Sequence, residues 1–155
     1  MSTVLPQRFF IRNAWTVVAW PHEISASRPL ARTVMGDDLV LFRTAHGDAV
    51  ALEDRCAHRL APLSLGRVEA DGIRCLYHGV KFSAAGRCVE VPAQPEPNAQ
   101  MCVRRYPLVE QDGFVWIWMG DAAAADEAPA EVVQTRRELD DPRLVVDREQ
   151  CGGGT

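Results

Sequence analysis

Up to residue 120 the apolar residues come in short runs or in strict alternation, separated by turn formers, and the 3.6-residue spacing of an amphipathic helix is nearly absent. Leu39-Val40-Leu41-Phe42-Arg43 and Ala49-Val50-Ala51-Leu52-Glu53 flank Ala45-His46-Gly47-Asp48, whose Gly admits the positive φ of a tight hairpin. Lys81-Phe82 and Cys88-Val89-Glu90-Val91 flank Ser83-Ala84-Ala85-Gly86 and predict a second hairpin. Arg104, Tyr106 and Leu108 alternate as one strand; Gln111-Asp112-Gly113 then turns the chain into Phe114–Met119, long and apolar enough to be a buried strand. Ala93–Asn98 carries two prolines, which remove ladder donors, and reads as a surface loop. The pattern predicts an all-β, antiparallel domain over residues 1–120.

After Gly120 the pattern ends. Asp121–Pro129 is acidic and Ala-rich, and residues 121–155 read as a linker or a marginal helix with little to fill a core. Cys151-Gly152-Gly153-Gly154-Thr155 has no element signature and looks like an interrupted end. At 155 residues, 47% hydrophobic and 25% charged, the chain is sized for one globular domain and too apolar to be disordered. The apolar stretch Ala14–Trp20 stops at Pro21-His22-Glu23, far short of the ~20 residues of a membrane span, and no signal peptide is visible. A soluble, cytoplasmic protein with no membrane partner is expected.

The net charge of -4 is uneven: thirteen basic against twelve acidic residues up to 120, four against nine beyond it. No clustered cationic face is in sight, which excludes nucleic acid as the expected partner. Five cysteines is an odd number in a chain without an export signal, so metal ligation is a better reading than a disulfide framework.

Cys56-Ala57-His58, sixteen residues, then Cys75-Leu76-Tyr77-His78 is the strongest signal. A C-x-H and a C-x-x-H on turning backbone each present one sulfur and one imidazole to the same side. Two such loops suit a two-metal cluster with two sulfurs on one iron and two imidazoles on the other. A structural Cys2His2 zinc site is the alternative, although zinc fingers favour C-x2-4-C with H-x3-5-H over mixed pairs. Cys88 and Cys102 lie on strand-like segments and are expected to be small buried hydrophobes, Cys151 a free thiol, and His22 and His46 solvated turn residues. The Arg59 N–H is placed to donate to a cluster sulfur while its side chain faces a partner, with a plain surface arginine as the alternative. Tyr77 is expected to shield the site from water, and Trp116 and Trp118 to be sheet packing.

Asp54–Gly66, Cys75–Phe82, Gly86-Arg87-Cys88-Val89 with Pro92, Arg12-Asn13-Ala14-Trp15 and Trp116–Gly120 together resemble the Rieske 2Fe-2S domains. The closer likeness is to the N-terminal domain of ring-hydroxylating and vanillate O-demethylase-type oxygenases, over roughly residues 8–120. The resemblance implies an antiparallel Rieske fold whose two-loop subdomain holds a 2Fe-2S cluster. In it Cys56 and Cys75 are thiolates on one iron, and His58 and His78 bind the other. It implies one-electron transfer from an NAD(P)H-dependent flavin and iron-sulfur reductase, and, at full length, a homotrimer. Ala61 and Tyr77 stand where high-potential Rieske proteins carry an extra disulfide, so the lower part of the roughly -150 to +300 mV Rieske range is expected. The family's oxygenases continue into a domain whose mononuclear non-haem Fe(II) is held by two His and a carboxylate. Here His22 and His46 are the two histidines left over, and they do not match those positions. The chain is therefore expected to end where a catalytic domain begins. Whether it is an enzyme component or a stand-alone Rieske-type ferredoxin stays open at this stage.

Overall fold

The computed structural model describes residues 12–92, 94–97 and 100–127. In chain order the strands are β1 (Ala14–Ala19), β2 (Leu30–Val34), β3 (Asp37–Arg43), β4 (Ala49–Glu53), β5 (Arg67–Glu69), β6 (Gly72–Arg74), β7 (Lys81–Ser83), β8 (Cys88–Glu90), β9 (Arg105–Tyr106), β10 (Leu108–Gln111) and β11 (Phe114–Met119). Short 3-10 turns occupy Pro21–Glu23, Leu63–Leu65 and Ala122–Glu127.

The strands make three antiparallel sheets, ordered β1-β11-β10, β2-β3-β4-β9 and β5-β6-β7-β8. The continuous apolar runs of β3 and β4 have a direct cause, since both faces of this hairpin are covered. Val40, Phe42, Val50 and Leu52 face one core, shared with Leu63, Ile73, Val80, Phe82 and Val103. Leu39, Leu41 and Ala51 face the other, packed with Val18, Val115, Ile117 and Met119 of the first sheet. Period-two alternation thus sends successive residues of one strand into two different cores.

The third sheet and the loops around it are inserted between β4 and β9. The insertion leaves and returns at one place: the Glu53 N–H donates to the Arg104 carbonyl (2.8 Å) and Leu52 pairs with Arg105. Two hairpins close on two-residue turns with positive φ at both positions, Met35-Gly36 and Asp112-Gly113, matching the right-handed twist of the strands they join.

The hairpins around residues 39–53 and 81–91, the turn at 111–113 and the buried strand 114–119 lie where the sequence predicts them. The expected single strand through Arg104, Tyr106 and Leu108 is instead two. Pro107 has no N–H to extend a ladder, so β9 pairs with β4 and β10 pairs with β11 in another sheet. β2, β5 and β6 escape the pattern because the first is a half-exposed strand and the other two span three residues each. Cys88 is buried as expected, but Cys102 is exposed, joined to Arg87 only by a short bridge. His22 and His46 are exposed in turns. Cys151, the Gly run and residues 128–155 lie outside the described residues, as do Ala93, Asn98 and Ala99. Among the described residues no helix is long and apolar enough to cross a membrane.

Phe82 is fully buried at the centre of the core beneath the inserted sheet, whereas Val89 on the same hairpin is 41% exposed. Phe82→Ala is expected to lower stability by about 3–5 kcal/mol and Val89→Ala by less than about 1 kcal/mol, read as urea unfolding midpoints.

Candidate metal centre

Two loops of the inserted subdomain carry the four candidate ligands, and their backbones repeat one another. In the first, the Cys56 N–H donates to the Ala61 carbonyl and the Cys56 carbonyl accepts from Leu60, both at 2.8 Å. In the second, the Cys75 N–H donates to Val80 (2.9 Å) and the Cys75 carbonyl accepts from Gly79 (3.1 Å). Each loop places its fifth residue at positive φ, Leu60 at 60° and Gly79 at 73°. The sequence pattern C-x-H against C-x-x-H hides this repeat, because it counts to the histidine and not to the turning residue.

The repeat puts both cysteines at the bottom of their loops and both histidines at the top. Cys56 and Cys75 are members of the core formed with Phe42, Leu63 and Phe82, and neither is in a disulfide. Their side chains meet each other, and the backbone N–H groups of His58 and Arg59 donate to the Cys56 sulfur. Burial, the larger effect, pushes the Cys56 thiol up, and the two N–H donors work against it. His58 and His78 are exposed, with ring centroids 4.9 Å apart at 76°. Among the described residues no three His, Cys, Asp or Glu side chains converge on one point, as a single ion would need. The set is two by two: a buried sulfur pair and an exposed imidazole pair.

That arrangement fits a two-iron cluster, which asks for two ligands per metal and N–H groups directed at sulfur, better than one tetrahedral zinc. The chain matches the Rieske 2Fe-2S domain over residues 14–107. It belongs to the Rieske family. A Rieske domain binds a 2Fe-2S cluster, and the all-β antiparallel fold expected from the sequence is the one observed. Among its relatives is the toluene-4-sulfonate monooxygenase system iron-sulfur subunit of Comamonas testosteroni, 49% identical over 80% of this chain and 35% of that one. The dicamba O-demethylase oxygenase component of Stenotrophomonas maltophilia is 46% identical over 76% of this chain and 34% of its own length. A crystal structure of dicamba monooxygenase superimposes with a TM-score of 0.73 at 44% identity, over 77% of this chain and 38% of that one. The chain thus spans about a third of the length of the relatives it matches. These relatives are components of oxygenase systems.

The surroundings of the Rieske loops divide the remaining expectations. The Arg59 backbone N–H is directed at the Cys56 sulfur. Tyr77 lies against the His78 ring at 3.9 Å but is 64% exposed, so it flanks the imidazole rather than sealing the site. Leu60, Leu65 and Leu76 are likewise exposed beside the loops. The Trp118 indole is buried in the first sheet, with its N–H donating to the Asp121 carbonyl (2.7 Å).

A charged network supports the inserted sheet. Arg74 grips Glu69 through Nε–Oε1 (2.7 Å) and Nη2–Oε2 (3.1 Å), and Glu90 through Nη1–Oε1 (2.8 Å) and Nη2–Oε2 (2.7 Å). Lys81 reaches Glu69 (3.2 Å) and Asp71 (2.6 Å). Hydrogen bonding from Arg74, then from Arg67 and Lys81, holds the Glu69 carboxyl down at about 2. Because the folded value lies below the unfolded one, the Glu69 contribution to stability is complete above about pH 4.5 and is lost as pH falls toward 2. The wild type is therefore expected to melt above Glu69→Gln at pH 6, with the gap closing between pH 4.5 and pH 2 in calorimetric scans.

A Cβ on Gly79 would be held at positive φ and would stand 3.0 Å from Pro92 Cγ. Gly79→Ala is expected to cost about 1–2 kcal/mol. Leu60→Gly, which relieves the same strain at an exposed side chain while loosening the unfolded chain, should change stability by less than about 1 kcal/mol. Chemical denaturation of the two variants distinguishes the loops.

Proposed function

We propose that Cys56 and Cys75 hold one iron of the cluster and His58 and His78 the other, and that the domain passes single electrons into an oxygenase reaction on an aromatic compound. The observation that carries this reading is the vertical order of the site: sulfurs rooted in the core, imidazoles at the surface. The cluster, when bound, supplies a one-electron couple, raised above that of all-cysteine ferredoxins because neutral imidazoles replace two thiolates. The chain's own residues do the rest. Cys56 and Cys75 keep the inner end out of water, the N–H groups of His58 and Arg59 place positive dipoles on a ligand sulfur, and the exposed His58 and His78 bring the outer end to the surface, where a partner can approach. A short path through an imidazole favours rapid transfer, and a ring nitrogen not on metal can carry a proton with the electron.

An NAD(P)H-dependent flavin and iron-sulfur reductase is the proposed electron donor, in keeping with relatives described as a system subunit and an oxygenase component. The proposed acceptor is a mononuclear non-haem Fe(II) held by two His and a carboxylate. The leftover histidines, His22 in the Pro21–Glu23 turn and His46 in the β3–β4 loop, are both exposed in turns and do not join the ligand set.

Iron and zinc analysis with ultraviolet-visible and electron paramagnetic resonance (EPR) spectra, before and after dithionite, tests this reading. Two irons per chain, a reducible signal of mixed His/Cys ligation and a midpoint in the lower part of the roughly -150 to +300 mV range are expected. Cys75→Ser should abolish the signal. One zinc and no colour would overturn the assignment, and a strongly positive midpoint would overturn the placement within the range.

A further inference from the structure

The two ligand loops share a backbone but are braced by different means. The first is tied across its base: Asp54 accepts from the Ser64 N–H (2.7 Å) and from the Ser64 hydroxyl (2.5 Å), so the residues flanking Cys56–Pro62 are joined. The second is gripped from outside. Arg74, the residue before Cys75, donates from Nη1 to the carbonyl of Gly79, the residue after His78, at 2.8 Å. Its side chain is only 15% exposed and is engaged by four further hydrogen bonds to the carboxylates of Glu69 on β5 and Glu90 on β8. Charge-assisted bidentate pairs fix a guanidinium in position and orientation at once. A single planar group therefore spans the start of the loop, its end and the two outer strands of the sheet that carries it.

We propose that Arg74 is the positioning residue of the second ligand loop. Clamped by Glu69 and Glu90, it holds the Gly79 carbonyl and so sets where Cys75 and His78 stand relative to Cys56 and His58. This inference rests on the reading that those four residues hold the cluster. Gly79 sits at positive φ, and the peptide that follows it is the one whose carbonyl Arg74 takes. Loosening that peptide frees the turn that aims the His78 ring. Lysine cannot replace the fork, because one ammonium carries the charge without reaching two carboxylates and a carbonyl in one plane. Arg67 also bonds Glu69 (3.1 Å) and so belongs to the clamp's surroundings; Arg87, exposed in the turn between β7 and β8, serves as the control.

The test uses the whole chain loaded with its cluster. Cluster loss to excess EDTA is followed at the visible absorbance, with the EPR spectrum of the reduced protein as the second readout. Arg74→Lys and Arg74→Gln are expected to lose the cluster about tenfold faster or more, the usual size of removing a group that orients a metal ligand. Their EPR lines, which report the imidazole-bound iron, should shift or broaden. Glu90→Gln, which loosens the clamp without altering a ligand loop, should fall between, and Arg87→Gln should match wild type. Wild-type lines and wild-type cluster retention in Arg74→Lys overturn the proposal. If the Arg74 variants do not fold, as judged by circular dichroism, Glu90→Gln decides: faster cluster loss supports the clamp, and an unchanged rate overturns it. A wild-type protein without a mixed-ligand signal would instead overturn the ligand assignment on which the proposal rests.

Discussion

Everything in this domain hangs on the burial of one hairpin on both sides. β3 and β4 present Val40, Phe42, Val50 and Leu52 to one core and Leu39, Leu41 and Ala51 to the other. A sheet with one wet face could not do this, because alternate residues would have to be polar. The double burial makes the hairpin a rigid floor, and the two candidate sulfur ligands stand on it: Cys56 and Cys75 belong to the same apolar cluster as Phe42 and Phe82. A ligand rooted in a close-packed core has little room to move, which is what electron transfer with small reorganisation requires of the groups around a metal.

Above that floor the environment reverses within a few residues. The cysteines are buried and the histidines two or three positions later are exposed. The i→i+4 and i→i+5 backbone bonds that repeat in both loops turn the chain sharply enough for this, at the expense of a positive φ at Leu60 and Gly79. Only one of those residues is glycine. Leu60 holds a conformation unfavourable to an L-residue by about 1–2 kcal/mol, a strain that the surrounding fold must offset.

Much of this was readable in the sequence, for physical reasons that differ by element. The buried strand Phe114–Met119 and the hairpin from Leu39 to Glu53 announce themselves because their burial is dense and their turns carry glycine. The four candidate ligands stood out because cysteine and histidine in paired short motifs are rare and chemically committed. β5 and β6 did not, because three residues are too few to show a pattern of their own; β7 and β8 are as short, but the Ser83–Gly86 turn between them marked the pair. The break at Pro107 could have been found, since proline cannot extend a ladder, but alternation across Tyr106 and Leu108 masked it. Arg74 was invisible as anything but a charge: its five hydrogen bonds go to Glu69, Gly79 and Glu90, residues that adjoin only once the third sheet forms.

The inserted subdomain enters and leaves the central sheet through adjacent backbone positions, with Glu53 bonded to Arg104. Such an insertion is a cassette. Residues 54–103 leave and rejoin the parent sheet at one place, so a lineage could lengthen a surface loop or recolour its face as long as Leu63, Ile73, Val80 and Phe82 still cover the Val40, Phe42, Val50 and Leu52 side of the hairpin. The exposed rim of the insertion is then free to diversify while its buried face stays tied to the fold that carries it.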